Sequence, residues 1–316
     1  MKRAFIISFI LALVLGLWIN SSNSSEDESL RQSMLHNEIE REYIVYAPED
    51  LPANAPLVVV SHGYTSSAET IMSYSGMNAV ADKEKFLVVY PQGTTDIRGN
   101  NFFNVGYDFH KDSNIDDLGF IKALVKKLIN EYEVNPDHVF ATGMSNGGDL
   151  SYLLACEASD IFRAVAPIAG TMMLTTVEDC QPEKPMPIFS VNGNADDITW
   201  FNGDLSDEAG WGIYLDVPYI IDFWVNLNNL DSYETMELDD INTSDDSNIT
   251  FTRYRSNDSN HEVWFYLVNN GGHNWPVLKT PYSFWDSLLG WWYFNPGNKD
   301  IDTSSEAWKF FEKYIN

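Results

Sequence analysis

The stretch "HVFATGMSNGGDLSYLLACEA", residues 138–158, decides how this chain is read. Its first half is apolar up to Thr142 and runs into Gly143, which fits a short buried strand. Its second half carries Leu150, Leu153 and Leu154 at helical spacing. Between them stands Ser145, flanked by Gly143 and Gly147. A glycine-flanked serine is by itself a weak signal. The context is stronger, because a tight strand-to-helix turn lifts a hydroxyl above the sheet edge. The glycines relieve crowding in such a turn, and the helix N-terminus favours developing negative charge. Ser145 is therefore the candidate nucleophile.

Working outward, similar apolar runs recur. "REYIVYAP" (41–48), "PLVVVSHG" (56–63), "FLVVYPQG" (86–93), "RAVAPIAG" (163–170), "MPIFSVNG" (186–193) and "EVWFYLVNNG" (262–271) all read as strands. Several are apolar nearly throughout, as strands covered on both faces are. Helical patterns fall over 67–84, 116–133, 146–158 and 304–315. Alternating strands and helices predict an α/β fold, with a mostly parallel sheet and helices on both faces. The acidic segment "LDDINTSDDSN" (238–248) reads as a solvated loop, and its spacing matches no calcium loop.

A serine needs a base, and the base an orienting acid. In α/β-hydrolases the order along the chain is Ser, Asp, His. Downstream of Ser145, Asp196 and its neighbour Asp197 follow one strand, and His273 sits in "NNGGHNWP" after the last. Both places are carboxyl ends of strands, where open α/β sheets carry their sites. Asp196 is preferred over Asp197. His36, His110 and His261 lack that setting, and His138 opens the strand leading to the serine. His62 precedes the serine and suits substrate contact. The amides of Tyr64 and Asn146 are the expected oxyanion donors. Trp200, Phe201 and Trp275 flank the acid and the base as candidate substrate contacts, and "SFWDSLLGWWYF" (283–294) adds more aromatics. There is no H-E-x-x-H and no cysteine–histidine cluster with zinc spacing, so neither metal nor cofactor is expected.

The chain has 316 residues and 44% hydrophobic content, enough for one large core. It carries 46 acidic against 19 basic side chains, a net charge of −27, which disfavours nucleic acid as a partner. Two basic residues, Lys2 and Arg3, precede the apolar run Ala4–Ile19, and a polar stretch follows. That is the layout of a secretory signal, with an uncleaved anchor as the alternative. We expect a signal peptide over 1–22, a polar tail over 23–40 and one catalytic domain over 41–316. The mature protein would be secreted or periplasmic, with no stable membrane association. Cys156 and Cys180 are the only cysteines. In an exported chain an even count favours a disulfide, against two separate thiols.

These segments together resemble the secreted polyhydroxybutyrate depolymerase and feruloyl esterase group of α/β-hydrolases, from about Arg41 to Tyr314. "SHGYTSSAE" is similar to the family's oxyanion segment, and "NIDDLGFIKALVKKL" to the helix before the serine. "HVFATGMSNGGDLSYLLACEASDIFRAVAPIAG" is the most specific match. "NGNADDITWFNGD" looks like the acid loop, "NNGGHNWP" like the histidine loop and "KDIDTSSEAWKFF" like the closing helix. The resemblance implies a triad of Ser145, Asp196 and His273, and a Cys156–Cys180 bridge. The departures are Asn192-Gly193-Asn194 where the family has His-Gly-Thr, and Tyr64 where it often has Cys. Leu230 and Ser256 stand where a further disulfide is common. Polymer depolymerases often carry binding modules, for which this chain has no expected room.

The resulting expectation is a secreted serine esterase acting on polyhydroxybutyrate-type oligomers or polyesters and on short-chain and aryl esters. Feruloyl or acetyl xylan ester hydrolysis is the first alternative, and a serine peptidase the second. A binding protein without catalysis is a third.

Overall fold

The computed structural model describes residues 31–278 and 297–315. The expected signal peptide and the aromatic segment 283–294 lie outside the described residues.

Every strand expected from the sequence forms: β2 (Ile39–Tyr46), β3 (Leu57–Ser61), β4 (Leu87–Pro91), β7 (Val139–Met144), β8 (Ala164–Ile168), β9 (Ile188–Gly193) and β12 (Val263–Asn269). They join β1 (Arg31–His36), β10 (Ser232–Glu237) and β11 (Asn248–Arg255) in a ten-stranded sheet of order β1-β2-β4-β3-β7-β8-β9-β12-β11-β10. The centre, from β4 to β12, is parallel. Antiparallel strands close both ends. A two-stranded ribbon, β5 (Thr94–Thr95) and β6 (Asn101–Phe102), lies apart.

Because side chains alternate along a strand, each central strand feeds two cores. Leu57, Val59, Val139, Ala141 and Val165 face one cluster. That cluster is covered by α3 (Asp117–Tyr132), α4 (Asn146–Glu157) and α6 (Val217–Leu227). Val58, Val60, Phe140, Ala164 and Ala166 face the other. There the cover is α1 (Ala68–Ser75), α2 (Met77–Glu84) and α7 (Thr303–Glu312). A short helix, α5 (Leu174–Asp179), follows β8. The molecule has the α/β-hydrolase fold, a mostly parallel sheet with helices on both faces.

Three details differ from the sequence reading. The helix expected over 67–84 is two helices, broken at Gly76, whose φ of 73° is left-handed. The tail expected over 23–40 is structured from Arg31 onward, because β1 pairs antiparallel with β2. The turn is Asn37-Glu38, with φ of 48° and 65°. Two positive φ values mark a hairpin turn whose twist matches the strands. Arg31 fastens this edge through ion pairs with Glu42 and Glu69. The folded domain therefore begins at least ten residues before Arg41. The strands β10 and β11 and the helices α5 and α6 were not expected either. The acidic segment is, as expected, a loop between β10 and β11 over 238–247, with its last residue, Asn248, opening β11, and Asp300 accepts from the amides of Ile241 (2.8 Å) and Asn242 (3.1 Å).

Cys156, near the end of α4, is bonded to Cys180, just after α5, with Cα atoms 4.9 Å apart. No helix among the described residues is long and apolar enough to cross a membrane.

Candidate active site

Ser145 stands between β7 and α4 with φ 57° and ψ −122°. Non-glycine residues rarely adopt this backbone, and it persists only where the surroundings enforce it. Here they do. The Ser145 amide donates to the Ile168 carbonyl (2.9 Å), and its own carbonyl accepts from the Asp149 amide (2.8 Å). The turn is tight enough that a Cβ on Gly143 would lie 2.4 Å from the Gly147 carbonyl oxygen. A Cβ on Gly147 would lie 2.1 Å from the Ser61 carbonyl oxygen. Only glycine fits at either place.

The acid and base loops extend the adjacent parallel strands β9 and β12. The Ala195 amide donates to the Gly271 carbonyl (2.9 Å), which fixes one loop on the other. His273 Nδ1 lies 2.8 Å from Asp196 Oδ2. The other carboxylate oxygen accepts from the amides of Ile198 (2.8 Å) and Thr199 (2.9 Å). Asp196 is 8% exposed, whereas Asp197 is exposed and makes no contact with His273 among the described residues. Asn194 Oδ1 accepts from the Asn270 amide (2.7 Å), so this departure from the family pattern ties the two loops. Asn192 accepts from Ser190 Oγ (2.7 Å) and donates to the Gly170 carbonyl (3.0 Å).

The loop after β3 passes close to the serine. A Cβ on Gly63 would meet Ser145 Cβ at 3.3 Å and Ser145 Oγ at 3.9 Å. Gly63 was not singled out in the sequence. Next to it, the Tyr64 amide donates to no backbone carbonyl among the described residues, and neither does that of Asn146. The Asn146 side chain has its own task. It is fully buried, accepts from the Phe103 amide (2.7 Å) and donates to the Phe103 carbonyl (2.9 Å). Such pairing clamps the segment after β6 onto the start of α4.

His62 is not a substrate contact. It is fully buried. Its Nε2 accepts from the Gly93 amide (3.0 Å), so Nδ1 carries the proton and donates to the Gly63 carbonyl (2.7 Å). Burial pulls its pKa down to about 4. Trp275 is 6% exposed and packs in the second core cluster. Trp200 donates through its indole to the Asp197 carbonyl (3.2 Å), and Phe201 packs on the first cluster. None of these four lines the pocket beside Ser145.

That pocket is narrow, with a cavity volume of about 10 Å³, and is lined by Ser145, Tyr107, Asp149, Thr171, Met173, Ile198, Thr199, Trp211 and Tyr214. The ring of Tyr64 stands behind it, edge-on to Trp211 with centroids 5.6 Å apart. Its hydroxyl donates to Asp96 (2.7 Å). A larger open cleft, about 360 Å³, lies at the amino-terminal ends of the strands around His138 and Arg163, the end of the sheet opposite Ser145.

Asp149 is the main residue the sequence reading passed over. It lies in the first turn of α4, four residues after Ser145 and so on the same helix face. Oδ2 accepts from Tyr107 Oη (2.6 Å) and Oδ1 from the Thr171 amide (2.7 Å). Burial raises its pKa to about 7, with the His273 charge opposing and the Asp196 charge adding to the rise. Its place in the quoted stretch was the available signal. Tyr107, Thr171 and Trp211 carried none, because they reach the site from separate loops.

Residues 42–179 match the family model described as "Esterase PHB depolymerase". The chain is 30% identical over 240 residues to a putative esterase, NocK, of Nocardia uniformis subsp. tsuyamanensis, covering 73% of this chain and 69% of that protein. It is 34% identical over 125 residues to a poly(3-hydroxyalkanoate) depolymerase C of Paucimonas lemoignei, over 40% of this chain and 30% of that protein. An acetyl xylan esterase from Aspergillus awamori shares the fold at a TM-score of 0.55 and 16% identity, covering 84% of this chain and 99% of that one. The chain belongs to the esterase PHB depolymerase family and is a carboxylic-ester hydrolase.

Proposed function

We propose that the chain is a secreted serine esterase whose nucleophile is Ser145, with His273 as base and Asp196 as orienting acid. The carrying observations are the 2.8 Å contact between His273 Nδ1 and Asp196 and the φ of 57° at which Ser145 is held in the turn after β7. With Nδ1 donating to Asp196, His273 Nε2 is the acceptor that takes the serine proton. Ser145 Oγ attacks the ester carbonyl. The amides of Tyr64 and Asn146 bind the oxyanion, which the α4 N-terminus also favours. His273 then returns the proton to the leaving alcohol. Water, deprotonated by the same imidazole, hydrolyses the acyl-enzyme, and no cofactor takes part.

The narrow pocket favours short acyl groups, as in hydroxybutyrate oligomers and short-chain esters. The same width favours acetyl esters of plant-wall polysaccharide as the second reading. Export is supported by the apolar N-terminal run and by the Cys156–Cys180 bridge. The test is hydrolysis of p-nitrophenyl acetate and butyrate by the wild type and by Ser145→Ala. Turnover that vanishes in the variant supports the reading; undiminished turnover refutes it.

A further inference from the structure

We propose that Asp149 and Thr171 select the acyl group, favouring short chains that carry a hydrogen-bond donor near the carbonyl. This rests on the reading of Ser145 as nucleophile and deepens it.

The pocket beside Ser145 is mixed. Met173, Ile198 and Trp211 give it apolar walls. Against these stand two polar groups with unused capacity. Thr171 is 3% exposed, and its Oγ1 is buried without a hydrogen-bond partner among the described residues. Asp149 is 6% exposed, and each carboxylate oxygen accepts one bond, from the Thr171 amide and from Tyr107 Oη. A carboxylate oxygen has two lone pairs, so both retain room for a further donor. No lysine or arginine pairs with Asp149 among the described residues. Burying a carboxyl without a cation is costly, as its raised pKa of about 7 records.

The geometry fixes both groups. The Thr171 amide is the donor to Asp149, so the carboxyl and the hydroxyl belong to one hydrogen-bonded unit. Asp149 in turn sits one helical turn beyond Ser145, whose carbonyl accepts from its amide. An acyl chain bound to Ser145 therefore extends toward Asp149 and Thr171. A plain alkyl chain leaves the Thr171 hydroxyl without a partner and gives the carboxyl of Asp149 no further donor. A chain with a hydroxyl or an ammonium near the carbonyl donates to Asp149, and a hydroxyl also accepts from Thr171. Sites built to pair with a substrate donor discriminate strongly against the analogue lacking it.

The test compares three p-nitrophenyl esters of matched shape: 3-methylbutanoate, 3-hydroxybutanoate and 3-aminobutanoate. For the wild type, kcat/KM should be about tenfold or more higher for at least one donor-bearing ester than for the methyl analogue. The two donor-bearing esters distinguish a hydroxyl from an ammonium as the group recognised. In Thr171→Val and Asp149→Asn that ratio should fall toward one. A wild-type ratio of one for both donor-bearing esters overturns the proposal, as does a ratio that neither variant changes. If Asp149→Asn does not fold, Thr171→Val, which trades a hydroxyl for a methyl, decides alone. An enzyme that cleaves all three equally keeps the serine-esterase reading and loses only this one. An enzyme that cleaves none loses both.

Discussion

His273 Nδ1 lies 2.8 Å from Asp196 Oδ2, while Asp197, the next residue, points to solvent. Adjacent carboxylates thus have opposite fates. Asp196 is held by two amides of its own loop, and its free oxygen reaches the imidazole. Asp196→Asn keeps the shape but favours the wrong imidazole tautomer. It should lower kcat by about 10⁴-fold, while Asp197→Asn changes it less than about twofold. Ester hydrolysis by the two variants checks this, and the reverse pattern would reassign the acid.

Stability should depend on pH through two buried groups of opposite slope. His62 has its pKa lowered to about 4, so its contribution is full above its ordinary value of 6.5 and is lost as pH falls toward 4. The size is about 3 kcal/mol. Asp149 has its pKa raised to about 7, so its contribution is full below its ordinary value of 3.8 and is lost as pH rises through about 7. Between pH 4 and 6.5 the two oppose each other. Asp149→Asn removes the falling slope. Its Tm should therefore climb more steeply than that of the wild type from pH 4 to 7; parallel Tm curves would contradict the assignment.

Arg41 and Asp117 form an ion pair at 2% and 0% side-chain exposure, with Arg41 stacked 4.0 Å over Phe120. Asp117 also accepts from the Asn104 amide (2.6 Å), so the pair anchors the segment leading to Tyr107. Arg41→Ala leaves a buried carboxylate unpaired and should cost about 3–5 kcal/mol. Urea denaturation measures it, and a loss under about 1 kcal/mol would contradict the pair's structural role.

The Cys156–Cys180 bridge fastens α4 to the segment after α5. Opening it, in Cys156→Ser/Cys180→Ser, should lower stability by roughly 3 kcal/mol. Thermal unfolding with and without reductant provides the comparison, and equal Tm values would refute a stabilising bridge.

The central strands were legible because Val, Ile and Phe run through them unbroken, as burial on both faces demands. The edges were not. In β1 and β10 polar side chains face solvent, as in the run Ser232–Glu237, so no apolar period marks them. The placement of Asp196 and His273 after β9 and β12, where the two side chains meet, was legible because each follows an apolar strand. The pocket walls were not, since Tyr107, Thr171 and Trp211 meet only when their loops fold over Ser145. His62 and Trp275 were misread for a related reason. Position near the site is visible in a sequence, but the direction of a side chain is not.

The most direct test of the account is covalent labelling. Incubation with diisopropyl fluorophosphate followed by peptide mass spectrometry should give one adduct, on Ser145, with activity lost in proportion. Full activity without an adduct, or an inactivating adduct on another residue, would contradict it.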